Sequence, residues 1–302
     1  MNVTMPQSSD YEPVSITDAL IRSLDLAKKH QGLPGGIPSG YPSLDRLTRG
    51  WEPGELVVIG ARPAVGKTLL ALGMARNAAV RFHVPTAYFS LEMSATELAD
   101  RLIVSEIGLS MDKLRGQKTI SEEEWPDIIC DLGELACGKL FIDDSPGPRI
   151  GELGDRIRSL ADKQGVKLFF IDSFQSLFPD GGDVFSSQSA ERADTLRRIK
   201  EIAMALDVTI ILLTCVWRPT RRNYSGPILA DLDSYCPSAE DYADTIILLH
   251  RDILGLNTDE ESPNLMELRV VRNRNGATGT VDLIFDRERI RLVEPDEFDM
   301  PA

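Results

Sequence analysis

The sequence predicts an α/β fold: a mostly parallel, twisted sheet flanked by helices. Two observations carry this. From Leu44 onward, short apolar runs alternate with helix-period segments, the pattern of strands joined by crossover helices. At one junction, Leu56 to Thr68 read Leu-Val-Val-Ile-Gly-Ala-Arg-Pro-Ala-Val-Gly-Lys-Thr, an apolar strand that ends in a phosphate cradle before a helix. A hydrophobic share of 42%, a charged share of 26% and 302 residues suit one large globular domain with a small appendage.

Taken in order, residues 1–13 are polar and expected to be disordered. Residues 14–31 predict an amphipathic helix, with Ile16, Ala19, Leu20, Leu24 and Ala27 on one face and Lys28 and Lys29 in the last turn. That face must be covered by its own domain or by a neighbouring subunit. The Gly/Pro/Ser-rich stretch 32–43 reads as a flexible connector. The body, 44–293, predicts strands at 56–60, 85–90, 139–142, 167–172, 208–214, 244–249, 266–272 and 280–285. Helices are predicted over 67–81, 94–107, 121–136, 150–164 and 189–206. Only the turn 272–279 separates the last two strands, so they form a hairpin at the end of the sheet. Residues 294–302 are an acidic tail expected to fray.

The candidate chemistry starts at the cradle, Ala61, Arg62, Pro63, Ala64, Val65, Gly66, Lys67 and Thr68. Backbone N–H groups there and at the helix start face a polyphosphate, Lys67 reaches the β/γ-phosphates and Thr68 ligates Mg²⁺. The first glycine of G-x-x-x-x-G-K-S/T is Ala61 here, with Gly60 just before it. The strand Lys167 to Asp172 ends in an acid suited to hold Mg²⁺, through a water, beside Thr68. Glu92, where the strand Tyr88-Phe89-Ser90 runs into a polar turn, is placed to polarise the attacking water, while Ser94 and Glu97 form a capping box. Arg272 and Arg274 lie at the hairpin turn, where a guanidinium neutralises charge on a transferring phosphate, in cis or on a neighbour's nucleotide. Read alone, turn arginines are solvated charge.

Composition narrows the classes. No run approaches the roughly 18–20 apolar residues of a membrane span, so no membrane partner is expected. Cys130, Cys137, Cys215 and Cys236 fit no C-x-x-C spacing and read as reduced thiols, which with the absence of a signal pattern points to the cytoplasm. A net charge of −14 runs against the basic footprint of a nucleic-acid binder, although a basic channel can sit inside an acidic shell.

Together these pieces resemble the C-terminal motor domain of the hexameric replicative DNA helicases of the DnaB family, within the RecA-like P-loop ATPases. The likeness runs from residue 32 to about 293 through Gly40-Tyr41-Pro42-Ser43-Leu44-Asp45, Ala61 to Thr68, Phe89 to Ser94, Ile171-Asp172 through Gln175, Ala243-Asp244, and Arg274-Asn275-Gly276 with Thr278-Gly279-Thr280. An alanine at the first Walker position is a habit of that family. The resemblance implies ATP and Mg²⁺ as cofactors, Lys67 and Thr68 on phosphate and metal, Asp172 as the Walker-B acid and Glu92 as catalytic base. It also implies Arg274 as an arginine finger acting across a subunit interface, with Arg272 where the family has a lysine of similar role. The 14–31 helix matches the linker that docks on the adjacent protomer, which implies a homo-hexamer or other ring.

Departures are equally specific. The family's N-terminal helical domain has no room here, so a separate protein partner is expected in its place. The family's phosphate-sensing glutamine is Cys215, a poor hydrogen-bond donor. The loop that touches DNA in the family has become Asp231-Leu232-Asp233-Ser234-Tyr235-Cys236, and with Glu240, Asp241 and Asp244 it is expected to repel phosphate. Arg218, Arg221 and Arg222 in the preceding loop are the candidate DNA contacts, or else an ordinary solvated basic loop. Two functions follow: an ATP-driven helicase or translocase on single-stranded DNA in replication, or a RecA-like ATPase that switches or scaffolds a protein partner without unwinding. A small-molecule kinase lacks an acceptor segment.

Overall fold

Alternation along the central strands decides the architecture. Val57 and Ile59 face one apolar cluster and Leu56 and Val58 the other, so both faces of the sheet must be covered. The computed structural model describes residues 15–18, 20, 21, 24, 35–180, 187–216, 226–251 and 264–298. Its strands are β1 (Leu56–Ala61), β2 (Thr86–Ser90), β3 (Leu140–Asp143), β4 (Leu168–Asp172), β5 (Thr209–Cys215), β6 (Thr245–His250), β7 (Leu265–Asn273), β8 (Gly279–Asp286) and β9 (Arg291–Val293). They form one sheet in the order β3-β2-β4-β5-β1-β6-β7-β8-β9. Pairing is parallel from β3 to β6 and antiparallel from β6 to β9.

Four long helices cover the faces: α1 (Lys67–Arg76), α2 (Ala95–Ile107), α3 (Ile150–Gln164) and α4 (Gln188–Leu206). Leu70 and Met74 of α1 and Leu98 and Leu102 of α2 enter the cluster with Val57 and Ile59. Ile150, Leu153 and Ile157 of α3 and Leu196, Ile199 and Ala203 of α4 enter the opposite one. Every predicted strand forms to within about a residue at each end. The strand β9 was too short to be read.

Three stretches differ from expectation. The helix expected over 121–136 is two short ones, Trp125–Asp131 and Gly133–Cys137. Pro126 lies in the first turn of the former, where its missing N–H costs nothing, and it keeps that helix from starting back at 121; the two helices part at Leu132. The connector 32–43 is not loose over its second half: Ile37 pairs with Trp51, Tyr41 is buried, and Pro42 opens the helix Pro42–Thr48. The acidic tail is tied at its root, because Glu294 is buried and accepts from both the N–H and the hydroxyl of Ser43. Of the N-terminal helix, residues 16–18, 20, 21 and 24 are helical, and Ile16, Leu20 and Leu24 are exposed.

Candidate functional site

In a parallel sheet the C-terminal strand ends share one edge, and here four of them converge. β1 ends at Ala61, in register with Cys215 of β5 and Leu249 of β6. The loop that follows turns with Ala64 at φ 63° and Gly66 at φ 119°. A φ of 119° is one that glycine adopts without strain, so the backbone turn itself demands glycine at position 66. α1 then starts at Lys67 with no side chain capping its free N–H groups. An uncapped N-terminus after such a loop is a ready anion site.

Lys67 Nζ lies 3.7 Å from Cys215 Sγ at the end of β5. Thr68 donates its hydroxyl to Asp172 Oδ2 at 2.7 Å, at the end of β4. The same oxygen accepts from the buried Tyr88 hydroxyl of β2 at 2.9 Å. Burial pushes the Asp172 carboxyl above its ordinary range, while the bonds from Thr68 and Tyr88 pull the other way. Burial, then the Asp172 charge, holds the Tyr88 phenol well above its usual value, so it remains a donor. The hydrogen-bond partners of this carboxylate are hydroxyls, and hard oxygen donors around a buried negative charge fit a Mg²⁺ ion. Glu92, exposed just past β2, accepts from Ser173 Oγ next to Asp172. Ser94 caps α2 in a box with Glu97, so Glu92 is not occupied by capping. Thus the P-loop, Lys67, Thr68, Glu92 and Asp172 meet at one edge.

Arg274 and Arg272 do not join them. Arg274 donates to Asp244 Oδ1 at 3.2 Å and to the Asp241 carbonyl at 3.1 Å. Arg272 Nε donates to the Ala243 carbonyl at 3.1 Å. Asp244 accepts from Leu56 N–H at 2.8 Å, at the start of β1. This is the N-terminal edge of the sheet, separated from Ala61 by about 17 Å of strand at ~3.3 Å per residue. Asp244 therefore corrects one expectation: it adds no charge to the loop at 231–236 but is buried and paired with Lys200 at 2.6 Å. In that loop Asp233 is exposed, and Asp231 accepts from Ile228 N–H. Cys236 is fully buried, and burial pushes its thiol up to about 12. Arg218, Arg221 and Arg222 lie outside the described residues.

Two features escaped the sequence. The Arg251 guanidinium stands over the Phe285 ring at 4.7 Å from its centroid, and Arg251 Nη2 approaches the Ala64 carbonyl of the P-loop at 3.5 Å. Gln175, beyond β4, donates to Thr214 of β5 at 2.6 Å. Neither pair has local spacing to betray it.

Comparison with known proteins follows the same outline. Residues 36–294 match the family model described as DnaB-like helicase C terminal domain. "Replicative DNA helicase DnaB" of Leifsonia xyli is 35% identical over 280 residues, covering 91% of this chain and 60% of that protein. "Replicative DNA helicase DnaC" of Bacillus subtilis is 32% identical over 283 residues, covering 92% of this chain and 62% of the relative. The chain thus spans about three fifths of the length of these relatives. Among solved structures, "ATPase Domain of G40P" superposes with a TM-score of 0.85 at 30% identity, over 94% of this chain and 99% of that one. "The Structure Of A DnaB-Like Replicative Helicase And Its Interactions With Primase" gives a TM-score of 0.81 at 30% identity, over 95% and 68%.

Proposed function

Because the chain belongs to the DnaB-like helicase C-terminal domain family, we propose that it is an ATP-hydrolysing motor of the DnaB type, assembled as a ring and acting on single-stranded DNA in replication. The observation that carries this reading is the division of the hydrolytic residues between two edges of the sheet. Lys67, Thr68, Asp172 and Glu92 converge at the C-terminal edge, while Arg274 and Arg272 are held at the opposite one. A guanidinium a strand-length away cannot reach the phosphate of its own protomer, but it can meet that of a neighbour in a head-to-tail ring.

In this reading the P-loop backbone and Lys67 bind the β- and γ-phosphates, and Thr68 and Asp172 hold Mg²⁺, partly through water. Mg²⁺ held there would supply neutralisation of the charge that develops on the phosphate. Glu92, fixed by Ser173, takes the proton of the attacking water. Arg251 on Phe285 offers a flat platform beside the P-loop for the base. Exposed Ile16, Leu20 and Leu24 are the stripe that an adjacent protomer covers.

One observation favours a second reading, a nucleotide-dependent switch without unwinding. Lys67 faces a thiol where the family has an amide, which weakens the link from phosphate to the DNA loops. Subunit mixing tests the ring. Arg274→Ala and Lys67→Ala should each abolish hydrolysis, and mixing them should restore part of it, because one interface type then pairs an intact cradle with an intact finger. No recovery in mixtures contradicts action in trans.

A further inference from the structure

Tyr88 lies in the middle of β2, in register with Phe170 of β4. The two rings stack with centroids 5.6 Å apart and planes 13° apart, and both are fully buried in the cluster beneath α1. Side chains two apart on a strand share a face, so Phe170 and Asp172 stand on the same side of the sheet as Tyr88. The phenol oxygen, at the far end of its ring, thereby reaches the end of β4. It donates to Asp172 Oδ2 at 2.9 Å, the same oxygen to which Thr68 donates at 2.7 Å. Among the described residues no hydrogen bond falls on Oδ1.

The ring alone does not account for that oxygen. Phenylalanine would fill the space and keep the stack, without a hydroxyl that has to be paired once it is buried. What the hydroxyl adds is a second donor on one edge of a buried carboxylate. Two donors converging on Oδ2 resist rotation of the carboxyl group and leave Oδ1 as its free acceptor. The Thr68 hydroxyl spends its one proton on Asp172, which leaves its lone pairs for a cation. Tyr88 is fully buried and cannot itself touch a nucleotide or an ion, so any effect it has on the site passes through Asp172.

We propose that Tyr88 is a positioning residue for the divalent-cation site, which holds the Asp172 carboxylate by Oδ2 and so keeps Oδ1 available to the hydrated Mg²⁺ ion. Without the phenol the carboxylate keeps only Thr68 as a donor and turns more freely. Partners of this kind, one bond removed from a metal, commonly set about 10- to 100-fold of its affinity. The inference rests on the reading of this edge as a nucleotide and Mg²⁺ site.

The test is the binding of a fluorescent ADP analogue to the full chain, titrated with Mg²⁺ and repeated in EDTA. It compares wild type, Tyr88→Phe, Asp172→Asn and the double variant. Tyr88→Phe removes the oxygen and leaves the ring on Phe170. It should raise the half-saturating Mg²⁺ concentration about 10-fold or more, while affinity in EDTA stays within about twofold of wild type. In the Asp172→Asn background Tyr88→Phe should add less than about twofold, because the group it acts through is already lost. An unchanged or lowered Mg²⁺ requirement in Tyr88→Phe overturns the proposal. An equal loss with and without Mg²⁺ marks a packing role and overturns it, as does a full further loss on top of Asp172→Asn. A wild type that binds no analogue, or binds it without regard to Mg²⁺, refutes the nucleotide and metal reading and this proposal with it. A Mg²⁺-dependent wild type with an unaffected Tyr88→Phe refutes this proposal alone.

Discussion

Replacing Asp244 by alanine strikes the N-terminal edge of the sheet, where one buried carboxylate satisfies three donors. They are Leu56 N–H at 2.8 Å, Lys200 Nζ at 2.6 Å and Arg274 Nη1 at 3.2 Å. The Arg274 side chain is 44% exposed, so its share is small. The Lys200 pair is different, with side chains only 15% and 8% exposed. Removing one partner of a buried pair leaves the other charge uncompensated, at about 3–5 kcal/mol. For a domain of this size that lowers the unfolding midpoint by about 6–10 °C. Asp244→Asn keeps an acceptor for Leu56 N–H but also strips Lys200 of its counter-charge, so it should recover only about 1 kcal/mol of that loss. Urea unfolding followed by circular dichroism gives both numbers if the m-values agree. An Asp244→Ala protein within about 1 kcal/mol of wild type would refute the assignment of this carboxylate as the tie that joins β1, β6 and the Arg274 turn.

Three further outcomes are expected. Glu92→Gln should bind nucleotide as wild type does and turn over about 10²- to 10⁴-fold more slowly; preserved turnover in a single-turnover assay removes Glu92 as the base. A thiol reagent should label exposed Cys130 and Cys137 quickly, buried Cys236 only on unfolding, and Cys215 at a rate that MgATP lowers, because that sulfur touches Lys67. Equal labelling of Cys215 with and without nucleotide would contradict the contact. Cys236 also sets an alkaline limit: between pH 9 and about 12 the unfolded chain releases a proton that the folded chain keeps, so stability should fall as pH rises through that window. Cys236→Ala should flatten this dependence in denaturant titrations, and an unchanged slope would assign it to other groups.

What the sequence disclosed depended on how local each signal is. Short apolar runs, β-branched in β1 and β5 and aromatic in β2 and β4, mark those strands, and Gly66-Lys67-Thr68 marks the cradle, because strand, loop and helix follow within about a dozen residues. Asp172 and Glu92 were legible as acids at strand ends once the cradle was known. Pro126 is a helix-start signal that apolar periodicity over 121–136 overrides in the prediction, and the parting at Leu132 has no local mark of that strength. Long-range pairs were not readable at all. Gln175 meets Thr214 across 39 residues, and Lys200 meets Asp244 across 44. Only the sheet order brings those partners together. The same order moved Asp244 out of the acidic loop: near Asp241 in sequence, its carboxylate turns inward to Lys200 and Leu56.

ATP turnover measured with and without a single-stranded oligonucleotide, at low and moderate salt, tests the motor reading most directly. A DnaB-type motor predicts turnover that the oligonucleotide stimulates, with the stimulation weakening as salt rises. Turnover that ignores the oligonucleotide at every salt concentration would contradict it and leave the nucleotide-dependent switch.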